Sequence, residues 1–275
     1  MKNILLMAFI ISGVCFSGCG KDSATTTPIP AGTCRLSSES TNLSGNSASY
    51  AYRYSADGNL SSVLRNFNGG PPDSTAVFYD HVVIYTPSNY NNSMNNYSIS
   101  YNANIFTGLP TTGDASITID GVEQRHYWSY AFAYDTKNRL IKVTEATPTV
   151  PNDYEYILEI TYNDKDNVTA LTYKSSTGPN TSYVIPADGY DDKPSPYAGL
   201  KNWVFIMRSG WNSSDPEPIF TALSKNNLLG FTITGWKRTS SYAYDDKGNP
   251  ITRTNTNSNV SGTYTFQENY GFQCN

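Results

Sequence analysis

Two histidines, four cysteines and a scatter of carboxylates are what this sequence offers for bond-making chemistry. A metal needs clustered ligands, but His81 and His126 stand far apart, and no HExxH, CxxC or paired-His spacing surrounds either. His126 falls in Arg125-His126-Tyr127-Trp128, which reads as a strand entry with a structural histidine. No Gly-rich phosphate loop follows a strand, and no GxSxG nucleophile elbow occurs. Asp164-x-Asp166-Asn167 and Asp245-Asp246 look like fragments of calcium loops, but neither is completed by a distal Glu, and both stand where a turn is needed. A glycosidase requires two carboxylates ~5–10 Å apart in a cleft, and no pair is singled out by spacing. The expectation is a protein that is not an enzyme and holds no metal or cofactor; an unrecognised hydrolase ranks last.

Residues for binding are more plentiful. Asp191-Asp192, ahead of Lys193-Pro194, read either as a loop fastened to the segment that follows or as a ligand or partner surface. Trp128, Trp203, Trp211 and Trp236 read first as core aromatics. Alternatively the four tryptophans, with abundant Tyr and Asn, form a platform on which sugar faces stack while Asn and Asp bond hydroxyls, Trp203, Trp211 and Trp236 being the ligand or partner surface singled out. Charged residues make up only 15% of the chain, the formal charge is −4, and no Lys/Arg cluster occurs. A nucleic-acid partner is therefore not expected. Polarity comes instead from Ser, Thr, Asn and 22 tyrosines, and tyrosine suits a half-buried pleated surface.

The first residues give an address. Lys2 precedes an apolar run from Ile4 to Phe16, too short for a transmembrane helix of ~20 residues. The run ends in Phe16-Ser17-Gly18-Cys19, which resembles the lipobox of bacterial lipoproteins, with Phe16 where Leu is usual. The resemblance implies a signal peptide over 1–18, acylation of Cys19 and a membrane reached through lipid. Gly20 leaves out the Asp that favours inner-membrane retention, and Lys21-Asp22 is similar to surface-export signals. The outer membrane or cell surface is the expected location, the periplasmic face being the other option. Residues 19–33, rich in Thr, Ser and Pro, read as lipidated Cys plus flexible linker. Cys34 and Cys274 remain, one at each end of a single domain over 34–275. An oxidising compartment allows them to pair; two free thiols is the alternative.

The body of the chain repeats one phrase, which must position everything else. Tyr52-Arg53-Tyr54-Ser55-Ala56-Asp57-Gly58-Asn59-Leu60 is the first copy. Phe132-Ala133-Tyr134-Asp135-Thr136-Lys137-Asn138-Arg139-Leu140 is the second, and Ile160-Thr161-Tyr162-Asn163-Asp164-Lys165-Asp166-Asn167-Val168 the third. Tyr242-Ala243-Tyr244-Asp245-Asp246-Lys247-Gly248-Asn249-Pro250 opens a fourth and then departs. Residues two apart share a strand face, the Asp/Asn/Gly segment tolerates positive φ, and an apolar residue starts the return, so each phrase is a β-hairpin. The turn residues are Asp57 and Gly58, Asp135 and Asn138, Asp164 and Asn167, and Asp245 and Gly248. Leu60/Val63, Leu140/Val143 and Val168/Leu171 lie three apart, so either a bulge intervenes or both sheet faces are partly covered.

These phrases resemble YD repeats, the Tyr-Asp hairpins of RHS-type surface proteins and Gram-negative lipoproteins. Gly189-Tyr190-Asp191-Asp192-Lys193-Pro194-Ser195-Pro196-Tyr197 with Leu223-Ser224-Lys225-Asn226-Asn227 resembles a motif pair in lipoproteins of unknown function that carry such repeats, Ser195 replacing the usual Asn. The fold expected is mainly β: a large antiparallel sheet of YD-like hairpins, open, curved or half-barrel. Two short helices are expected near 196–226, one from Pro196 to Arg208 with Leu200, Trp203, Val204 and Met207 on one face, the other from Asp215 with Ile219, Phe220 and Leu223. Further strands are expected at Ala76–Thr86, Tyr97–Phe106, Ser116–Ile119, Tyr154–Tyr162, Gly230–Thr234 and Gly262–Glu268. The function expected is a lipid-anchored envelope or surface protein that binds or scaffolds, its partner a glycan or another envelope protein.

Overall fold

The structure, a computed structural model, describes residues 34–274 apart from 44, 57, 71–72, 78–80, 86–93, 104–108, 120–121, 148–153, 187, 199, 201–215 and 234. The chain begins with β1 (Cys34–Leu43), β2 (Asn46–Tyr54), β3 (Leu60–Phe67), β4 (Asp73–Val77), β5 (His81–Tyr85) and β6 (Met94–Ala103). It continues through β7 (Pro110–Ile119), β8 (Val122–Tyr134), β9 (Leu140–Thr147), β10 (Tyr154–Tyr162), β11 (Val168–Ser175) and β12 (Thr181–Val184). After these come β13 (Tyr190–Pro194), α1 (Glu217–Leu223), β14 (Asn226–Leu228), β15 (Gly230–Ile233), β16 (Trp236–Tyr244), β17 (Pro250–Asn259) and β18 (Gly262–Cys274).

Sixteen strands form one antiparallel sheet, mainly by pairing each strand with its sequence neighbour. β1 also pairs with β18, which joins the two chain ends inside the sheet. Cys34 lies opposite Cys274 and is bonded to it, closing a loop of 240 residues. The chain-entropy model puts such closure at roughly 5 kcal/mol. The sheet curls until its edge strands β12 and β15 approach within 8 Å at Cα, without forming a ladder among the described residues. One end of this seam is bridged: the Leu229 N–H donates to the Gly189 carbonyl, and the Ser240 N–H to the Leu229 carbonyl, both at 2.7 Å.

All four phrases make the same reversal. The residue after the tyrosine (Ser55, Asp135, Asn163, Asp245) accepts the N–H three residues on and donates its own to the carbonyl four residues on. Where it is Asp or Asn, its Oδ1 also accepts the N–H groups two and four residues on, for example Lys137 and Arg139 at 2.9 and 3.0 Å. The turn needs one left-handed residue, and Gly58, Asn138, Asp166 and Gly248 supply it at φ 79°, 62°, 64° and 82°. In the third phrase this displaces the expected pair. Asn163 caps and Asp166 takes positive φ, because a cap must follow the tyrosine directly for its short side chain to reach both N–H groups. Asp164 is exposed, and Asn167 is buried in other work. Asp57 lies outside the described residues.

A bulge explains the three-residue spacing. Tyr54 pairs with Leu60 and Arg53 with Ser62, leaving Ser61 extra; Ile141, Thr169 and Ile251 are skipped in the same way. The extra residue returns Leu60 and Val63, Leu140 and Val143, and Val168 and Leu171 to one buried face.

Two expected elements differ. Ala76–Thr86 is two strands, since β4 and β5 pair with Val77 opposite Val82. The helix expected from Asp215 is confined to Glu217–Leu223: Ser224 is extended, its hydroxyl accepting the Val168 N–H at 3.0 Å and donating to the Tyr190 hydroxyl. Of the helix expected at 196–208, residues 196–198 form a turn and 201–208 lie outside the described residues.

Candidate functional site

Tyrosine hydroxyls tie one hairpin to the next. Tyr54 donates to the Leu36 carbonyl at 2.7 Å, Tyr162 to that of Leu140 at 2.9 Å and Tyr190 to that of Val168 at 2.6 Å. Tyr190, although it stands in β13 and not at a hairpin turn, thus makes the same hydroxyl bond as the hairpin tyrosines. The Tyr134 hydroxyl is buried without a partner among the described residues. Tyr244 donates instead to Asp191, which also accepts from the Asn227 backbone and side chain and from the Lys193 N–H. The two motif segments thus meet: the Asn226 side chain donates to the Lys193 carbonyl, its backbone N–H donates to Asn167 Oδ1 at 2.9 Å, and its Oδ1 accepts from Asn167 Nδ2 at 3.0 Å. Asp191 is consumed in this clasp. Asp192 is exposed, with Lys193 Nζ 3.8 Å away. Trp236 is half-buried on Phe231 with the Arg238 guanidinium 5.0 Å from its ring centre. Trp203 and Trp211 lie outside the described residues, so among those described no tryptophan platform with Asp191 and Asp192 is assembled.

What the inner face does assemble is a polar cavity. In three hairpins the second buried position after the turn is Val63, Val143 or Leu171; in the fourth it is Arg253, 3% exposed. Register places Arg253 between Tyr242 and Glu268, and Glu39 between Tyr270 and Tyr50, with Arg65 beyond Tyr50. α1 lies over this patch. Its Ile219, Phe220 and Leu223 are buried in the core, and its first residue, Glu217, is ion-paired to Arg238 and Arg253. Arg253 also reaches Glu268 at 3.3 Å and the Ser240 hydroxyl at 3.0 Å, while Tyr270 donates to Glu268 at 2.8 Å. Between helix and sheet a partly open cavity of about 200 Å³ is left, lined by Glu39, Tyr50, Tyr52, Arg65, Tyr197, Glu217, Pro218, Thr221, Ala222, Arg253 and Glu268.

The electrostatics are uneven. Burial, then the charge of Glu268, pushes the Glu39 carboxyl up to about 7, although Tyr52 donates to it at 2.9 Å. Burial likewise drives the Tyr197 and Tyr270 phenols far above their ordinary range. Beyond Arg253 the polar stripe continues through Asn255 and Asn257, buried side chains each keeping an amide nitrogen unpartnered among the described residues. Across the sheet Glu145 is 8% exposed between Tyr130 and Tyr156, and burial raises it to about 7 although the Tyr130 hydroxyl bonds to it. Sequence reasoning missed all of these carboxylates. The one available signal was Arg253 itself, a charge at a core position of a repeat.

With this geometry in view, comparison with known proteins is informative about architecture. In fold, the chain is similar to a porin-like protein. That protein, from Bacteroides uniformis, shares 16% identity at a TM-score of 0.57, over 86% of this chain and 96% of its own. A porin-like protein from Bacteroides vulgatus aligns at 9% identity and TM-score 0.49, over 88% of this chain and 99% of its own. The TcdB2-TccC3 structure aligns at 12% identity and TM-score 0.32, over 82% of this chain and 14% of its own. No protein-family model matches the sequence, and no curated protein is similar to it.

Proposed function

We propose that the chain is an exported, lipid-anchored envelope protein with YD-like hairpins, whose β domain has a non-catalytic binding or scaffolding role. Residues 1–18 are the signal peptide, Cys19 carries lipid, 19–33 is the tether, and 34–275 is the domain displayed at the outer membrane or cell surface. The observation that carries this is the Cys34–Cys274 bridge, which ties the domain's two ends together where the tether arrives. A disulfide between sheet strands suits an oxidising compartment outside the cytoplasm. The tether of residues 20–33 spans at most roughly 50 Å, enough to hold the domain clear of a bilayer. A non-catalytic role accords with the inner carboxylates, since Glu217 and Glu268 are held by arginines.

Export and anchoring are tested together in a Gram-negative host. The full chain is expected to incorporate an alkyne-tagged fatty acid, Cys19→Ala to lose the label, and non-reducing electrophoresis to run faster than reducing. Absence of label on the unaltered chain would overturn the lipid anchor.

A further inference from the structure

We infer that the cavity between α1 and strands β1–β3, β17 and β18 is a binding site for a neutral, polyhydroxylated ligand the size of a single sugar ring. This deepens the binding role proposed above and names its ligand class. It uses none of the tryptophans.

The site is built rather than left over. The chain has an apolar solution for this hairpin position and uses it three times, as Val63, Val143 and Leu171. Replacing a buried ion cluster by packed hydrophobes is often neutral or stabilising, so charges here are not needed to hold the sheet together. Yet the fourth copy carries Arg253, and Glu217 from the helix and Glu268 from β18 converge on it. Side chains from six separate elements, with Tyr197 from the turn after β13, line one small void that these charges keep polar.

The wall selects the class of ligand. Glu217 is matched by Arg238 and Arg253, Glu268 by Arg253 and the Tyr270 hydroxyl, and Glu39 is bonded by Tyr52. The wall sets Glu39, Glu217 and Glu268 against Arg65 and Arg253, and Arg238, paired with Glu217 from outside the lining, brings the cations to three, so neither a cation nor an anion is drawn in by a net field. Carboxylate oxygens and the Arg65 guanidinium suit hydroxyl groups, and the rings of Tyr50, Tyr52 and Tyr197 suit the C–H face of a sugar. A cavity of about 200 Å³ is below the ~300–1,000 Å³ of drug-sized pockets. It fits one ring or the terminal unit of a chain, not an extended polysaccharide.

The test uses the full chain, purified in a detergent without a sugar headgroup. Saturation-transfer NMR and calorimetry are run with methyl glucoside, methyl galactoside and N-acetylglucosamine, with acetate and ammonium as charged probes. At least one neutral sugar is expected to bind, and the ions are not. Ala222→Leu fills the void without removing a polar partner and is expected to weaken binding at least tenfold; Arg65→Met is expected to weaken it as well. Circular dichroism and the melting transition show whether each variant is folded, and a folded variant decides if the other is lost. No binding by any of the three sugars, equal binding by the ions, or undiminished binding in a folded variant would overturn the proposal. Because the readout does not involve Cys19, failure here leaves the fatty-acid labelling result standing, and the reverse holds too.

Discussion

The sector around β9–β11 and the sector around β16–β18 use the same hairpin for opposite ends. In the first, Leu140, Val143, Leu158, Ile160, Val168, Leu171 and Tyr173 pack the inner face around Leu171, and the buried polar residues Glu145 and Thr147 stand at the far end of β9. In the second, the equivalent stripe is Arg253, Asn255 and Asn257, roofed by a helix whose first residue is a buried glutamate. Turn, cap and bulge are alike in both. The backbone geometry of the repeat therefore specifies only that two positions of the return strand face inward. What stands there decides between packed core and polar cavity.

The sharpest way to break the comparison is to move the arginine. Leu171→Arg, in the apolar sector, places a charge with no counter-ion in a dry core; a loss above about 4 kcal/mol is expected, read as failure to give a cooperative urea transition. A folded Leu171→Arg protein would show that the two sectors are equally polar. Next, Arg253→Ala leaves Glu217 and Glu268 without their shared partner and is expected to cost about 3–5 kcal/mol in the same measurement. A loss under about 1 kcal/mol would mean the cluster is solvated.

Glu145 gives an intermediate effect that depends on pH. Its carboxyl is raised to about 7 in the folded protein from an ordinary 4.5. The stability of the protonated form is thus fully present below 4.5 and is lost as pH rises through about 7. Glu39, raised to about 7 by burial and Glu268, acts in the same direction. Urea melts from pH 4 to pH 8 should show stability falling, and Glu39→Gln with Glu145→Gln should flatten the curve and raise stability at pH 8 by about 2 kcal/mol. A rising curve in this window would contradict both assignments. Smallest is the inter-hairpin bond. Tyr162→Phe removes the donor to the Leu140 carbonyl and should cost about 1 kcal/mol. No change would indicate that ring packing alone joins the hairpins.

The sequence made the hairpins legible because their turn chemistry is local. Tyr, then Asp, Asn or Ser, then Gly, Asn or Asp three residues later is a statement about φ and about N–H groups within reach of one residue. The identity of the capping residue in the third phrase was missed because Asn163-Asp164-Lys165-Asp166-Asn167 offers four turn formers in five positions, and only their distance from Tyr162 sorts them. A Tyr79-Asp80 pair stands in the sequence between β4 and β5, yet the segment read as one strand because its flanks are continuously apolar. The cavity was not legible at all. Glu39, Arg65, Glu217, Arg253 and Glu268 are scattered over 230 residues and meet only because β1 pairs with β18 and α1 folds back across them. Asp191 and Trp236, conspicuous in the sequence, are bonded into the clasp and packed on Phe231. A polar residue that caps or clasps looks the same in one dimension as one that waits for a ligand.

The central claim is that the charged stripe serves binding and not the stability of the sheet. It is tested most directly by replacing the stripe with what the other hairpins use: Glu217→Leu, Arg238→Met, Arg253→Leu and Glu268→Leu together. The account predicts a melting temperature equal to or above that of the unaltered protein, with sugar binding abolished. A folded variant that still binds, or a chain that no longer folds, would contradict it.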